Sequence, residues 1–70
     1  MERKRLNASN LRSAGYDARS RVLEIEFSNG GVNQYSGVSE EIYRRLMNAP
    51  SPSSYFQDQI EEGFTAKRVR

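Results

Sequence analysis

The side chains that could carry out catalysis in this chain are serines and carboxylates, because its 70 residues include neither His nor Cys. A serine nucleophile needs a neighbouring base, and the only lysines, Lys4 and Lys67, lie close to the ends of the chain. Glu24 and Glu26 lie two residues apart on a predicted strand, where such residues usually form the solvated side. The composition excludes zinc and thiolate sites, and the other carboxylates do not converge as calcium requires. The sequence therefore predicts a protein that is not an enzyme and has no metal or cofactor.

Basic residues at the two ends of the chain indicate a different chemistry, the binding of phosphate groups. Between residues 8 and 66, five basic residues stand against eight acidic ones, so the excess of positive charge belongs to the terminal segments. The terminal basic residues are Arg3, Lys4 and Arg5 at one end and Lys67, Arg68 and Arg70 at the other. Such residues would hold a nucleic-acid backbone. The alternative is that charged tails keep a small domain in solution.

Two tyrosines add a second feature of nucleic-acid recognition, since single-stranded RNA is commonly bound by aromatic rings on a sheet with arginines nearby. Tyr16 and Tyr35 fall on predicted strands. The arginines close to the same sheet are Arg12, Arg19 and Arg21. If Val32 faces the helices, Asn33 and Tyr35 share the outer face of the sheet, and a bulge at the double glycine would reverse this. The alternative is that both tyrosines pack at the boundary between sheet and helices, with only their hydroxyls in water.

Three strands must position these residues. They are predicted at 10–17, 21–27 and 32–36. In the second strand the apolar residues Leu23, Ile25 and Phe27 occupy every other position, which is the period of a half-buried strand. Asn29 and Gly30 then favour a type I′ hairpin turn, in which both central residues have positive φ.

Two short helices follow the strands. Ser39 is placed to cap a helix that runs to about Asn48, and Pro52 begins a second helix that ends near Gly63. Residues 65–70 are either a frayed tail or a short extra strand. The predicted fold is α+β, a three-stranded antiparallel β-meander followed by two short helices packed on one face. The predicted core consists of Leu23, Ile25, Phe27, Ile42, Leu46, Phe56 and Ile60.

The order of these features resembles the KTSC domain, a bacterial module of about sixty residues. The shared pattern is a Gly-Tyr-Asp, an alternating apolar strand, a turn with glycine, a strand with tyrosine, a Gly-Val helix start and a Tyr-Phe helix. It covers residues 8–66. The matching residues are Ser13, Gly15, Tyr16, Asp17, Leu23, Ile25, Phe27, Gly31, Tyr35, Gly37, Val38, Tyr43, Ala49, Ser51, Tyr55, Phe56 and Ile60.

The resemblance implies a single small domain at 8–66, with basic tails at 1–7 and 67–70. Because this domain also occurs at the C-terminus of some lysyl-tRNA synthetases, the resemblance implies RNA or tRNA as a ligand. Two positions depart from the family pattern. Asn33 stands where the family has the first tyrosine of a Tyr-x-Tyr, which removes one ring from the expected surface, and Ser39 replaces a proline at the helix start.

A protein-interaction or homo-oligomeric assembly module is the alternative function. Tyr43 and Met47 form a second row on the first helix and would be its interface, unless they pack under the second helix. No apolar run approaches the roughly 18 residues of a membrane span, so no membrane partner is expected. A cytoplasmic location is the corresponding expectation.

Overall fold

The computed structural model describes residues 2–70, which form one antiparallel sheet covered on one face by helices. The sheet has five strands in sequential order, and each pairs antiparallel with the next. The strands are β1 (Arg3–Arg5), β2 (Leu11–Asp17), β3 (Val22–Phe27), β4 (Val32–Ser36) and β5 (Ala66–Arg68). The helices lie between β4 and β5. They are α1 (Glu40–Asn48) and α2 (Pro52–Phe56), and α2 continues into a π-helical turn at Gln57–Glu61.

The α+β class, the antiparallel sheet, the two helices and the short extra strand allowed at 65–70 are confirmed, but a three-stranded meander is wrong, because the sheet has five strands. Both additional strands come from the terminal segments. In the predicted tail 1–7, of which Met1 lies outside the described residues, β1 pairs with β2 and the adjoining Leu6 is buried in the core. At the other end, β5 pairs with β4, and the backbone N–H groups of Val69 and Arg70 both donate to the carbonyl of Val32. Both strands are short and charged and carry no alternating apolar pattern. β5 falls in the segment where a short extra strand is one of the two alternatives, whereas β1 falls in a predicted tail.

The hairpin between β3 and β4 has a three-residue loop at 28–30 in place of the predicted type I′ turn. The Gly30 N–H donates to the Phe27 carbonyl at 3.0 Å, and the Phe27 N–H donates to the Gly31 carbonyl at 2.8 Å. Gly30 has a φ of +92°, whereas Asn29 is not among the residues with positive φ. This is a type I turn closed by a left-handed glycine, which shifts the register of β4 by one residue relative to a two-residue turn.

The core lies between the helices and one face of the sheet. Five predicted core residues are fully buried, and Phe27 and Ile42 pack around them partly exposed. Several further buried residues are absent from the predicted core list, and these are Leu6, Leu11, Ala14, Tyr35 and Val38. The helix cap at Ser39 is confirmed, since its Oγ accepts from the Ile42 N–H at 3.3 Å. Within residues 2–70, no helix has the length and apolar character needed to cross a membrane.

Candidate nucleic-acid interface

The uncovered face of the sheet, called here the outer face, carries two rows of mostly polar residues, one across all five strands and one across four. Residues paired across an antiparallel sheet project on the same side. The strand registers therefore place one row on this face, consisting of Arg3, Gly15, Glu24, Gln34 and Lys67. A second row consists of Arg5, Ser13, Glu26 and Val32. Both terminal basic segments thus contribute side chains to one surface, from opposite edges of the sheet.

Gly15 is the reason that an arginine of the edge strand reaches the middle of this face. A Cβ built at Gly15 would lie 2.5 Å from the carbonyl oxygen of Glu2 and 2.9 Å from the Cγ of Arg3. With no side chain there, β1 approaches closely and Arg3 extends over β2, placing its Nε 3.6 Å from an Oε of Glu24. Gln34 on β4 donates to the other Oε of Glu24 at 3.0 Å.

The second carboxylate of the outer face, Glu26, is held in a similar way. Ser13 donates to one of its oxygens at 2.9 Å, and Arg12 lies 3.6 Å from the other. Arg12 reaches this position because β2 has a bulge between Leu11 and Ser13, which gives β2 one extra residue. A second Arg12 nitrogen donates to the Ser28 carbonyl at 3.2 Å, so the guanidinium is fixed at two points.

The cations of the outer face are more exposed to solvent than its carboxylates. The side chains of Glu24 and Glu26 are each 14% exposed, whereas that of Arg12 is 54% exposed. Arg5 and Lys67 are exposed as well, and among the described residues neither enters a salt bridge with a carboxylate. An open groove of about 580 Å³ runs along this face. Its lining residues are Arg3, Arg5, Arg12, Ser13 and Glu26. A polyanion approaching the outer face would therefore meet guanidinium and ammonium groups first.

Tyr16 lies on the opposite face, against the helices. Its ring stacks on that of Tyr43 from α1, with centroids 5.2 Å apart and planes 13° apart. Its hydroxyl donates to the Val38 carbonyl at 2.6 Å. The ring is half-buried and occupied on one side, which corresponds to the boundary packing that the sequence left open as an alternative.

Tyr35 also faces the helices and is only 2% exposed. Its ring packs edge-on against Phe56 at 5.4 Å, and its hydroxyl accepts from Asn33 Nδ2 at 3.4 Å. Burial raises the pKa of the Tyr35 hydroxyl above 10.0, although the hydrogen bond from Asn33 opposes the shift. The expected outward Asn33–Tyr35 surface does not exist, because β4 is shifted by one residue and it is Val32 that lies on the outer face. A ring buried to this extent cannot stack on a base.

The other predicted nucleic-acid residues are dispersed. Arg19 and Arg21 are exposed in the turn between β2 and β3, where Arg21 has a left-handed φ of +56°. The Arg19 N–H donates to the Asp17 carboxylate at 3.0 Å, which lowers the pKa of that group. On β5, Lys67 projects to the outer face, whereas Arg68 projects to the helix side because it pairs with Asn33.

The predicted interface on α1 is largely occupied within the molecule. Tyr43 and Met47 are both half-buried and pack against the core cluster. Burial raises the pKa of the Tyr43 hydroxyl, with a smaller contribution from the negative charge of Glu2. An open groove of about 300 Å³ lies beside them. Its lining residues are Lys4, Glu40, Tyr43, Arg44, Met47 and Asn48.

The sequence reading missed the role of Gly15 and Ser13 on the outer face, and it treated Arg3 and Arg5 as parts of a tail. One signal in the sequence was available for β1. A glycine in the interior of a strand often marks close approach of another backbone, and Gly15 interrupts the otherwise regular β2. The spacing of Leu6 from the arginines gave no comparable signal, because one apolar residue does not establish a period.

Comparison with known proteins agrees with this fold. The KTSC domain family model matches residues 7–64. A protein of Stutzerimonas stutzeri (strain A1501), described as uncharacterized, is 41% identical over 56 residues, which cover 80% of this chain and 79% of the relative. The crystal structure of a KTSC domain protein from Yersinia pestis superimposes with a TM-score of 0.95 at 33% identity, covering 99% of this chain and 97% of that one. The chain belongs to the KTSC domain family.

Proposed function

We propose that this protein is a non-enzymatic RNA-binding module that holds the RNA backbone against the outer face of its sheet. The observation that carries the proposal is the unequal exposure of charge on that face. Glu24 and Glu26 are covered and engaged by neighbouring side chains, while the cations of β1, β2 and β5 project into solvent. On a surface of this kind the more exposed cations attract phosphate groups, and the paired carboxylates oppose them less.

The distribution of charge over the whole molecule supports the same surface. Residues 40–62, which contain both helices, carry two basic and five acidic side chains. The rest of the chain carries nine basic and four acidic ones. The helical segment is therefore negative and the strands with their turns positive, although Arg68 projects to the helix side. Such a field would orient a polyanion away from the helices during approach.

The proposed contacts are made to phosphates and do not involve stacking by tyrosine. Tyr16 and Tyr35 are packed against Tyr43 and Phe56, so they are not available to bases on the outer face. Arg5, Arg12 and Lys67 would instead bind the backbone, with little dependence on base sequence. Because this domain also occurs at the C-terminus of some lysyl-tRNA synthetases, tRNA is the first ligand to test.

The test is a series of electrophoretic mobility shifts with bulk tRNA at increasing salt, comparing two double variants of equal charge. Arg5→Gln with Lys67→Gln removes two cations from the outer face. Arg44→Gln with Arg45→Gln removes two cations from α1, where both are exposed and paired with glutamates. Each lost phosphate contact reduces the magnitude of the slope of log K against log salt by roughly 0.7–0.9. This slope is negative, so we expect it to become shallower by about 1.5 for the sheet variant and to remain unchanged for the helix variant.

Equal weakening by the two double variants would contradict the proposal, because it would mean that tRNA responds to net charge and not to the outer face. Absence of tRNA binding by the wild-type protein at low salt would also overturn it. In that case a dimer in sedimentation would favour the assembly function. Within residues 2–70, the one exposed large hydrophobic residue is Val69, at 50%, which offers little apolar area for such an interface.

A further inference from the structure

One corner of the helix-covered side of the sheet is left open, beyond the end of α2. It forms a groove of about 480 Å³ next to the β3–β4 loop, called here the corner groove. Its lining residues are Phe27, Asn29, Gly31, Asn33, Ala66, Arg68 and Arg70. None of the outer-face residues discussed above takes part in it, so it is a second and separate surface.

The corner groove is built from three adjacent strands. Asn33 on β4 pairs with Ile25 on one side and with Arg68 on the other, so Asn33 and Arg68 project to the helix side. Phe27, at the end of β3, is opposite Gly31 where the loop closes, and its N–H donates to the Gly31 carbonyl. The ring of Phe27 meets Phe56 edge-on at 5.8 Å, which anchors it against the core while it remains partly exposed.

The chemistry of the corner groove is aromatic, amide and guanidinium together. Phe27 offers an apolar ring, and Arg68 and Arg70 offer exposed guanidinium groups. Asn29 accepts from the Gly31 N–H through Oδ1 and Asn33 donates to the Tyr35 hydroxyl through Nδ2, so the remaining carboxamide atoms, Asn29 Nδ2 and Asn33 Oδ1, are the ones offered to a ligand. Gly31 keeps the floor open, because a Cβ there would lie 3.2 Å from the Oδ1 of Asn29. A nucleotide presents the complementary set, with a flat ring for stacking, base edges for the amides and a phosphate for arginine.

We propose that the corner groove binds one nucleotide of a single-stranded RNA segment, with its base against Phe27 and its phosphate on Arg68 or Arg70. This inference rests on the proposed function and adds a base-binding position to it. The two surfaces are connected through β5, where Lys67 faces outward and Arg68 faces the groove. An RNA backbone that leaves the outer face at this edge can therefore place its next nucleotide in the groove. An acidic peptide would engage the arginines but has no flat ring to place against Phe27.

The test is an NMR titration of the ¹⁵N-labelled protein with the tetranucleotide of uridine, alongside tetraglutamate as an anionic peptide of similar charge. We expect the tetranucleotide to shift the backbone amides of Gly31, Asn33 and Arg68. Phe27→Leu keeps an apolar side chain against Phe56 and removes the aromatic face, and it should weaken binding roughly tenfold. Arg68→Gln should weaken it by a similar factor, whereas Arg19→Gln, at an exposed turn, serves as the control with equal charge.

The outcomes separate this inference from the proposed function. If tRNA binds through the outer face but the tetranucleotide leaves the groove amides unshifted, the inference is wrong and the proposed function stands. If tRNA does not bind, while the tetranucleotide shifts the groove amides and its affinity depends on Phe27 and Arg68, the proposed function is wrong and nucleotide binding by the groove stands. Equal shifts and equal affinity for tetraglutamate would overturn the nucleotide assignment, because the groove would then select only negative charge. Should Phe27→Leu fail to fold, Arg68→Gln against Arg19→Gln decides the question.

Discussion

The two faces of the sheet share the same strands but are stabilised in different ways. On the helix-covered face, Leu23 and Ile25 are 0% exposed and lie among apolar side chains and aromatic rings. On the outer face, Glu24 and Glu26 alternate with these residues along β3. Arg3 and Gln34 cover Glu24, and Arg12 and Ser13 cover Glu26, through ion pairs and hydrogen bonds. Apolar burial is the main stabilising term in a fold of this size, whereas ion pairs whose cation remains partly exposed contribute less. The comparison indicates that the outer face can change for binding at small cost to stability.

The largest expected effect separates the two faces within one strand. Leu23→Ala leaves a cavity in the core and should lower the free energy of unfolding by about 2–5 kcal/mol. Glu24→Ala, at the next residue, removes one partner of an ion pair and a hydrogen bond on the outer face, and should cost about 1 kcal/mol or less. Urea unfolding of both variants measures the difference. Equal losses would show that the polar network of the outer face is as important for stability as the core.

The next expected effect concerns the edge strand that supplies the outer face with arginines. Gly15→Ala places a methyl group against the backbone of Glu2, so β1 must move, at a cost of about 1–3 kcal/mol. We expect faster hydrogen exchange at the amide of Leu6, which donates to the Arg12 carbonyl at 2.9 Å. The tRNA affinity should fall as well, because Arg3 and Arg5 lose their positions.

Gly31→Ala is the matched control for this substitution. Its new methyl group would meet the side-chain oxygen of Asn29 at 3.2 Å, and this side chain can shift. The control should therefore be less destabilising and should leave exchange in β1 unchanged. If the two alanine variants behaved alike, close approach of β1 at Gly15 would not be the reason for the glycine.

The face on which Tyr35 lies shows where sequence reasoning reached its limit. The alternation in β3 and the cap at Ser39 predicted β3 and α1 correctly, because both signals are local. A two-residue Asn-Gly turn would pair Tyr35 with Glu24 on the outer face, whereas the three-residue loop pairs it with Leu23 in the core. One residue of loop length thus reverses every side chain of β4. The sequence 28–31 is compatible with both loops, so a choice between them requires the tertiary packing.

The arrangement of the outer face could not be predicted from local sequence signals for a related reason. Arg12 was predicted as a sheet-side arginine, but its position over Glu26 depends on a bulge that leaves no mark in the sequence. Arg3 and Arg5 reach the face only because β1 pairs with β2. A strand of three charged residues is stabilised by its partner strand and not by its own propensity.

A smaller effect, confined to alkaline pH, tests the burial of Tyr35. Because burial raises the pKa of its hydroxyl above 10.0, the folded state favours the neutral phenol. Below pH 10 the phenol is neutral in both states and its stabilising contribution is complete. As pH rises above 10 the unfolded chain ionises first, and this contribution is lost up to the folded pKa. Tyr43 should add a loss of the same sign.

Urea unfolding of the wild-type protein and of Tyr35→Phe between pH 8 and 11 measures this loss. The variant should lose less stability above pH 10 than the wild type, since the buried ionisable group is gone. Gln34→Ala, at the neighbouring residue on the outer face, should retain the full alkaline loss. If Tyr35→Phe behaved like Gln34→Ala, the hydroxyl of Tyr35 would have to be accessible to water.

The smallest expected change in stability, about 0.5 kcal/mol or less, is that of Glu26→Gln, which keeps the shape of the side chain and removes its charge. The carboxamide oxygen of the variant would still accept from Ser13, so the loss is limited to the ion pair with the half-exposed Arg12. The outer face nevertheless becomes more positive and Arg12 becomes available to phosphate, so tRNA should bind more tightly. Glu41→Gln is the matched control, since it removes one charge and one ion pair, with Arg45, on the helical side. Mobility shifts at one salt concentration should show a clear gain for the first variant and little change for the second. Equal gains would mean that the two sides of the molecule do not differ in their interaction with RNA.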